Sequence, residues 1–299
     1  MADISVLLIG ASGALGKPLL DELIRQRHQF KRIAVLATPE RASKFNESDV
    51  EVVVGSFYEA GSYQGFTHVV SAIGNALMIL QPAMVDAAVS AGVKHWYASE
   101  WNSDIAQRQI QALRYFRDKQ AVRAYLRGKA AQAPGFQYTL MVTGIFTEWA
   151  LDEFYGFDHQ KLTAQVYGQL GNRIGVTSIP DIARYTVDSL RISSEGVPGR
   201  TLRVQGWTGK IEDLIGELEQ VRGVKYRITW VDVSEAKELE EQARVDEDDL
   251  SEMMYSIKPL LASGYGVADG VGELDNELFD WKPETPRETF ARVFRDGPL

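Results

Sequence analysis

The chain has 299 residues, 45% of them hydrophobic, enough to bury a sizeable core as one large domain or as a domain with a smaller partner. A formal net charge of −9 gives no general attraction to nucleic acid or to an anionic membrane. The absence of cysteine removes disulfides, thiolate metal sites and cysteine nucleophiles together. The four histidines, His28, His68, His95 and His159, lack ligand spacing, so no metal site is expected. The opening MADISVLLIG is too short to span a bilayer and lacks the basic start of a signal peptide, so a cytoplasmic location is expected.

In chain order, ISVLLI reads as a buried strand and ALGKPLLDELIRQ as the amphipathic helix after it. Between them, LLIGASGALG sets Gly10, Gly13 and Gly16 at a strand-to-helix turn. There Gly10 permits the turn, Gly13 admits a pyrophosphate close to the backbone, and Gly16 allows tight helix-to-strand packing. A plain structural turn is the alternative. RIAVLA, VEVVVG and THVVSAI are further strands, followed by the helical MILQPAMVDAAVSAG and the strand KHWYAS. This alternation predicts an α/β fold with a doubly wound parallel sheet of the dinucleotide-binding, Rossmann type.

NAD binders usually carry a carboxylate at the end of the second strand, but here that strand ends in Ala37 and Thr38. Arg41 and Lys44 follow in a turn where they can meet a 2′-phosphate, which favours NADP(H); were the cofactor NAD instead, Glu40 would be a weak substitute ribose ligand. The alternative has Thr38 as an N-cap and both cations solvated.

A long helix is predicted from about Gln107 to Ala133, then the strand FQYTLMVTG. On a helical wheel, Tyr115 and Lys119 share a stripe with Ala112, Val122 and Leu126, while Arg114, Arg117, Asp118 and Tyr125 lie on another arc. A lysine in the apolar stripe is expected to be partly buried, with a lowered pKa; a lysine snorkelling along that stripe is the alternative. Ser99, at the end of KHWYAS, stands where such sheets bind ligands and can polarise a substrate carbonyl or cap its own loop. TGIFTEWALDEFYGF places Phe146, Trp149 and Phe154 after the last main strand, as the wall of an apolar pocket or as packing between domains.

Beyond Gly144 the alternation is irregular, although IPDIARYTVDSL reads as a helix returning to the sheet. The expected organisation is a dinucleotide-binding domain over residues 1–152, to which 173–192 return, and a smaller substrate domain over most of 153–299. The run SEAKELEEQARVDEDDLSE reads as a solvated helical face or an acidic docking surface, and SGYGVADGVG, residues 263–272, as a mobile loop.

GASGALG, AGVKHWYASEWNSD, FRDKQAVR and LFDWKPETPRETF together resemble the NmrA-like and isoflavone-reductase-like proteins, which are atypical short-chain dehydrogenases. The resemblance implies a Rossmann fold, an NADP(H) preference, small aromatic or secondary-metabolite substrates, and a functional lysine near the nicotinamide at Lys119. Tyr115 and Lys119 also match the Tyr-x-x-x-Lys of the wider short-chain dehydrogenases, although the isoflavone-reductase-like proteins commonly lack this tyrosine. Two departures stand out: Ala37 replaces an arginine that often ends the second strand, and Asn102 replaces a glycine.

The expected activity is NADPH-dependent reduction of a carbonyl or conjugated double bond, with Lys119, Tyr115 and Ser99 as catalytic candidates. A non-catalytic NADP(H) redox sensor and a non-redox isomerase or cyclase remain open. The expected cofactor contacts are Gly10, Ser12, Gly13, Leu15, Gly16, Thr38, Arg41, Ala72, Gly74, Lys119 and Phe146; the expected substrate pocket is Trp101, Phe146, Trp149 and Phe154. The expected partner is a small molecule, aromatic or polyketide-like, with a homodimer left open and neither nucleic acid nor membrane involved.

Overall fold

The structure, a computed structural model, describes residues 3–45, 49–194, 196–268 and 272–295. The first half runs β1 (Ser5–Ile9), α1 (Gly16–Arg25), β2 (Arg32–Ala37), α2 (Pro39–Ala42), β3 (Glu51–Val54), β4 (His68–Ser71), α3 (Gln81–Ser90), β5 (His95–Tyr97), α4 (Arg108–Gln111), α5 (Arg117–Gln132) and β6 (Gln137–Val142). It continues through β7 (Ile145–Phe146), α6 (Thr147–Ala150), β8 (Phe157–Asp158), β9 (Thr163–Tyr167), β10 (Arg173–Thr177) and α7 (Ile179–Ser189). The chain then forms β11 (Gly199–Arg203), β12 (Trp207–Lys210), α8 (Ile211–Arg222), β13 (Arg227–Val231), α9 (Val233–Val245), α10 (Asp249–Ile257) and α11 (Pro286–Arg295).

Seven strands form one sheet in the order β11-β6-β5-β4-β1-β2-β3, with β1 paired in parallel to both β2 and β4. The order reverses direction after β1, so the ends of β1 and β4 diverge toward helices on opposite sides. Doubly wound sheets bind ligands at such a point. The central strand β1 is buried on both faces, which is why Val6, Leu7, Leu8 and Ile9 form an unbroken apolar run with no exposure.

The chain forms two compact units. The first comprises Met1–Glu100, Asp118–Met141 and Ala183–Leu202; the second comprises Trp101–Arg117, Val142–Ile182 and Arg203–Leu299. The core of the first joins Leu7, Ile9, Val69, Trp96, Val122 and Leu126. The second holds two three-stranded sheets, β12-β10-β7 and β13-β9-β8, and a core that includes Phe116, Ile174, Leu214 and Leu260.

The predicted helix from Gln107 to Ala133 is interrupted. Leu113 is extended, Arg114–Phe116 form one 3₁₀ turn, and α5 starts only at Arg117. Packing overrides helical propensity here: Ile110 and Phe116 are buried in the core of the second unit, and the Tyr115 N–H donates to Ser256 Oγ at 3.0 Å. Tyr115 therefore precedes the helix that carries Lys119.

The segment Ser234 to Glu252 is helical, in α9 and α10, with Leu239, Val245 and Leu250 exposed among the acids. Of SGYGVADGVG, residues 269–271 lie outside the described residues; Gly266 bridges to Ile174 of β10. Among the described residues, no helix is long and apolar enough to cross a membrane.

Candidate functional site

The turn from β1 into α1 is built on backbone proximity. Gly10 has φ +82°, and a Cβ there would stand 2.4 Å from the Ala72 carbonyl oxygen; a Cβ on Gly16 would stand 1.9 Å from the Gly10 oxygen. Both glycines are thus required by the fold itself. Gly13 differs, because its hypothetical Cβ meets nothing closer than the Gly10 oxygen at 3.3 Å and the residue is exposed. Ser12 is exposed beside it, Leu15 is buried, and the α1 N-terminus has neither a capping side chain nor an acid in its first turn. That end of α1 is electropositive and uncompensated by the side chains of the turn. Across the switch point, Ala72 is half-buried and Gly74 exposed.

At the end of β2, Thr38 is the extended residue before α2, and Arg41 and Lys44 are both exposed. The Thr38 side chain hydrogen-bonds the exposed Glu40 carboxylate, which holds that acid below its usual range. Thr38 makes no side-chain cap on α2.

Lys119 lies in the first turn of α5 and is 9% exposed. Its Nζ donates to the backbone carbonyl oxygen of Glu100 at 2.6 Å. Burial pulls the amine down to about 8; the Glu100 carboxylate opposes the shift and the Arg123 guanidinium adds to it. Glu100 and Arg123 were not singled out in the sequence, yet Arg123 Nη2 meets Glu100 Oε1 at 3.1 Å, with both side chains almost fully buried. The available signal was the four-residue spacing from Lys119 to Arg123, which puts both on one helix face.

Ser99 is 6% exposed; its hydroxyl donates to the Ile73 carbonyl at 2.5 Å and its N–H donates to Gln81 Oε1 at 3.2 Å. Gln81, fully buried at the start of α3, also accepts from Trp96 Nε1 at 3.3 Å. These bonds join the end of β5 to the segment after β4, so the Ser99 hydroxyl proton is already engaged.

The other candidates belong to the second unit. Tyr115 is half-buried, packs edge-on against Phe116 with ring centroids 5.1 Å apart, and burial raises its phenol pKa. Trp101 is 6% exposed with φ +28°, a conformation that L side chains rarely adopt. Phe146 and Trp149 stack at a tilt with centroids 4.8 Å apart, and Trp149 is 40% exposed. Phe154 packs against the unit's core and edge-on to Tyr155. Among the described residues, no group of three or more His, Asp or Glu side chains could hold a metal ion.

Comparison with known proteins aligns with this architecture. The sequence profile of the NmrA-like family matches residues 3–258. "Oxidoreductase aprR" of Aspergillus flavus is 28% identical over 240 residues, covering 78% of this chain and 79% of that protein. An isoflavone reductase crystal structure superposes with a TM-score of 0.77 at 16% identity, covering 97% of this chain and 99% of the other. The binary complex of leucoanthocyanidin reductase with NADPH, from Vitis vinifera, gives a TM-score of 0.73 at 16% identity, with coverages of 96% and 98%.

Proposed function

Since the chain belongs to the NmrA-like family, we propose that it is an NADPH-dependent reductase of a small aromatic or secondary-metabolite-like substrate, acting on a carbonyl or a conjugated double bond. The observation that carries this reading is Lys119, a buried amine at the end of the central sheet whose pKa is pulled down to about 8. Such an amine is protonated at neutral pH and can give its proton up to a developing oxyanion or carbanion.

The first unit fits a dinucleotide. Gly13 is exposed beside the uncapped N-terminus of α1, so Gly10, Ser12, Gly13, Leu15 and Gly16 would hold a pyrophosphate. Ala72 and Gly74 would border it across the switch point. Thr38 and the exposed Arg41 would receive a 2′-phosphate, the charged group that distinguishes NADP(H). Hydride is the chemistry the dinucleotide supplies when bound. Lys119 would hold the proton, and Ser99 would keep the end of β5 fixed through Ile73 and Gln81.

In the second unit, the paired rings of Phe146 and Trp149 offer an apolar surface suited to a flat substrate. Tyr115 we assign to packing, because it precedes α5 and rests against the core of its unit. The exposed Leu239, Val245 and Leu250 on the acidic helices favour a second reading, a dinucleotide sensor that docks a protein.

The deciding experiment incubates the purified protein with NADPH and a panel of phenolic, enone and polyketide compounds, following absorbance at the reduced nicotinamide band and product mass. Cofactor oxidation with a product heavier by two hydrogens supports the reductase. Converted substrate with unchanged cofactor replaces it with an isomerase, and tight NADPH binding without turnover of any compound favours the sensor.

A further inference from the structure

We infer that Arg123 and Glu100 form a positioning pair that fixes where the Lys119 amine sits and how readily it gives up its proton. The inference rests on the reading of Lys119 as the proton donor and extends it to two residues for which that reading assigns no role.

The geometry is a closed loop within the first unit. From one face of α5, Lys119 reaches the main-chain oxygen of Glu100 at 2.6 Å, and four residues later Arg123 reaches the Glu100 carboxylate at 3.1 Å. The same residue is thus gripped through its peptide and through its side chain, by groups one helical turn apart. The Glu100 and Arg123 side chains are 1% and 6% exposed. A buried ion pair is costly to desolvate and is weak evidence of a stabilising role, so its presence beside a buried lysine calls for another function.

Orientation is one such function. The Lys119 side chain is long and flexible, and the place of its ammonium depends on where the Glu100 carbonyl that it donates to is held. Anchoring Glu100 by its carboxylate prevents the carbonyl from drifting, so the remaining ammonium protons keep a constant direction. Charge balance is the second. The Glu100 carboxylate and the Arg123 guanidinium both act on the amine, and they act in opposite directions. Burial is the largest influence on the amine, and removing either charged group would move it in the direction set by the other.

The test follows the Lys119 amine directly, by NMR of full-length protein carrying lysine labelled with ¹³C at Cε. Its signal is assigned by its loss in Lys119→Met. Arg123→Met should move the titration midpoint upward by about one pH unit, and Glu100→Gln should move it downward by a similar amount. Arg123→Lys, which keeps the cation, should restore the midpoint to within about 0.3 unit. A role confined to stability would lower the melting temperature in these variants without moving the midpoint in opposite directions. Midpoints unmoved in both Arg123→Met and Glu100→Gln overturn the inference; if Arg123→Met does not fold, Glu100→Gln alone decides it. The titration needs no substrate. Opposed shifts combined with full turnover in Lys119→Met would instead remove the catalytic reading of the lysine, so the two failures are distinct.

Discussion

The Lys119 ammonium and the Glu100 carbonyl oxygen are 2.6 Å apart, which ties the first turn of α5 to the segment just beyond the end of β5. A lysine held to a peptide oxygen keeps its charge without neutralising it. That makes its protonation sensitive to burial and separates two variants that would otherwise look alike.

Lys119→Met keeps most of the packing volume and removes the amine. Turnover should fall by roughly a hundredfold or more, with the melting temperature preserved or raised, because a buried charge is replaced by an apolar chain. Steady-state kinetics beside a thermal melt checks both parts; an unmodified rate would falsify the assignment.

The pH profile has a fixed sign. The amine must be protonated to donate, and its folded pKa lies near 8, so kcat should be level around neutrality and decline as pH rises through about 8. A profile flat to pH 10 would mean that another group supplies the proton.

The three glycines of the first turn should divide by cause. Gly13→Val should stay folded, since its Cβ would stand 3.3 Å from the Gly10 oxygen and ask it to give only slightly, and should lose roughly 2 kcal/mol or more of NADPH affinity because the exposed side chain would stand where the phosphate docks. Gly16→Ala should instead destabilise the domain, because its Cβ would stand 1.9 Å from the Gly10 oxygen. Isothermal titration with denaturant melts separates these effects; equal NADPH affinity in folded Gly13→Val would remove the proposed phosphate site.

NADPH should bind more tightly than NADH, and Arg41→Ala should narrow the gap by roughly 1 kcal/mol or more. The basis is the exposed guanidinium just beyond Thr38, where no carboxylate ends β2. Equal affinities in the unmodified protein would contradict it.

Tyr115→Phe should retain turnover within about threefold, as expected of an aromatic that contributes packing and no proton. Near-complete inactivity would return Tyr115 to the chemistry and match the Tyr-x-x-x-Lys pattern after all.

Acid should weaken the first unit through its histidines. His68, His95 and Tyr97 stack with centroids 5.2 and 5.0 Å apart, and burial, reinforced by other positive groups, pulls the two imidazoles to about 4 and about 3. Their folded pKa values lie below the unfolded value, so this stability is intact above about pH 6.5 and is lost as pH falls toward the folded values. His95 alone should cost about 2 kcal/mol between pH 7.5 and 5, and His95→Gln should flatten that slope in denaturant unfolding.

Much of the fold was legible because its physics is periodic. Strand β1 is an unbroken apolar run, the glycine turn follows it, and IPDIARYTVDSL shows its helical stripe as α7. The burial of Lys119 was also legible, since its neighbours Val122 and Leu126 are buried on the same face. The break before Arg117 was not: Leu113 and Phe116 keep a helix-compatible spacing, and their packing with Ile110 in a core assembled from distant segments decides the matter. The Glu100–Lys119 bond left no mark either, because a main-chain acceptor can belong to any residue. Arg123 was hidden for the opposite reason, as an ordinary helix cation whose buried partner lies 23 positions away.

The position of β11 bears on how this chain is made. It pairs beside β6 at the margin of the main sheet, yet roughly 55 residues separate the two strands along the chain. At about 5–20 residues per second, a ribosome delivers β11 roughly 3–11 s after β6. During that interval the nascent sheet presents a row of unsatisfied amides and carbonyls along β6, the feature by which strands recruit the wrong partner. Expression yield should therefore depend on translation speed and on chaperone supply through residues 143–203 more than on the stability of the finished protein.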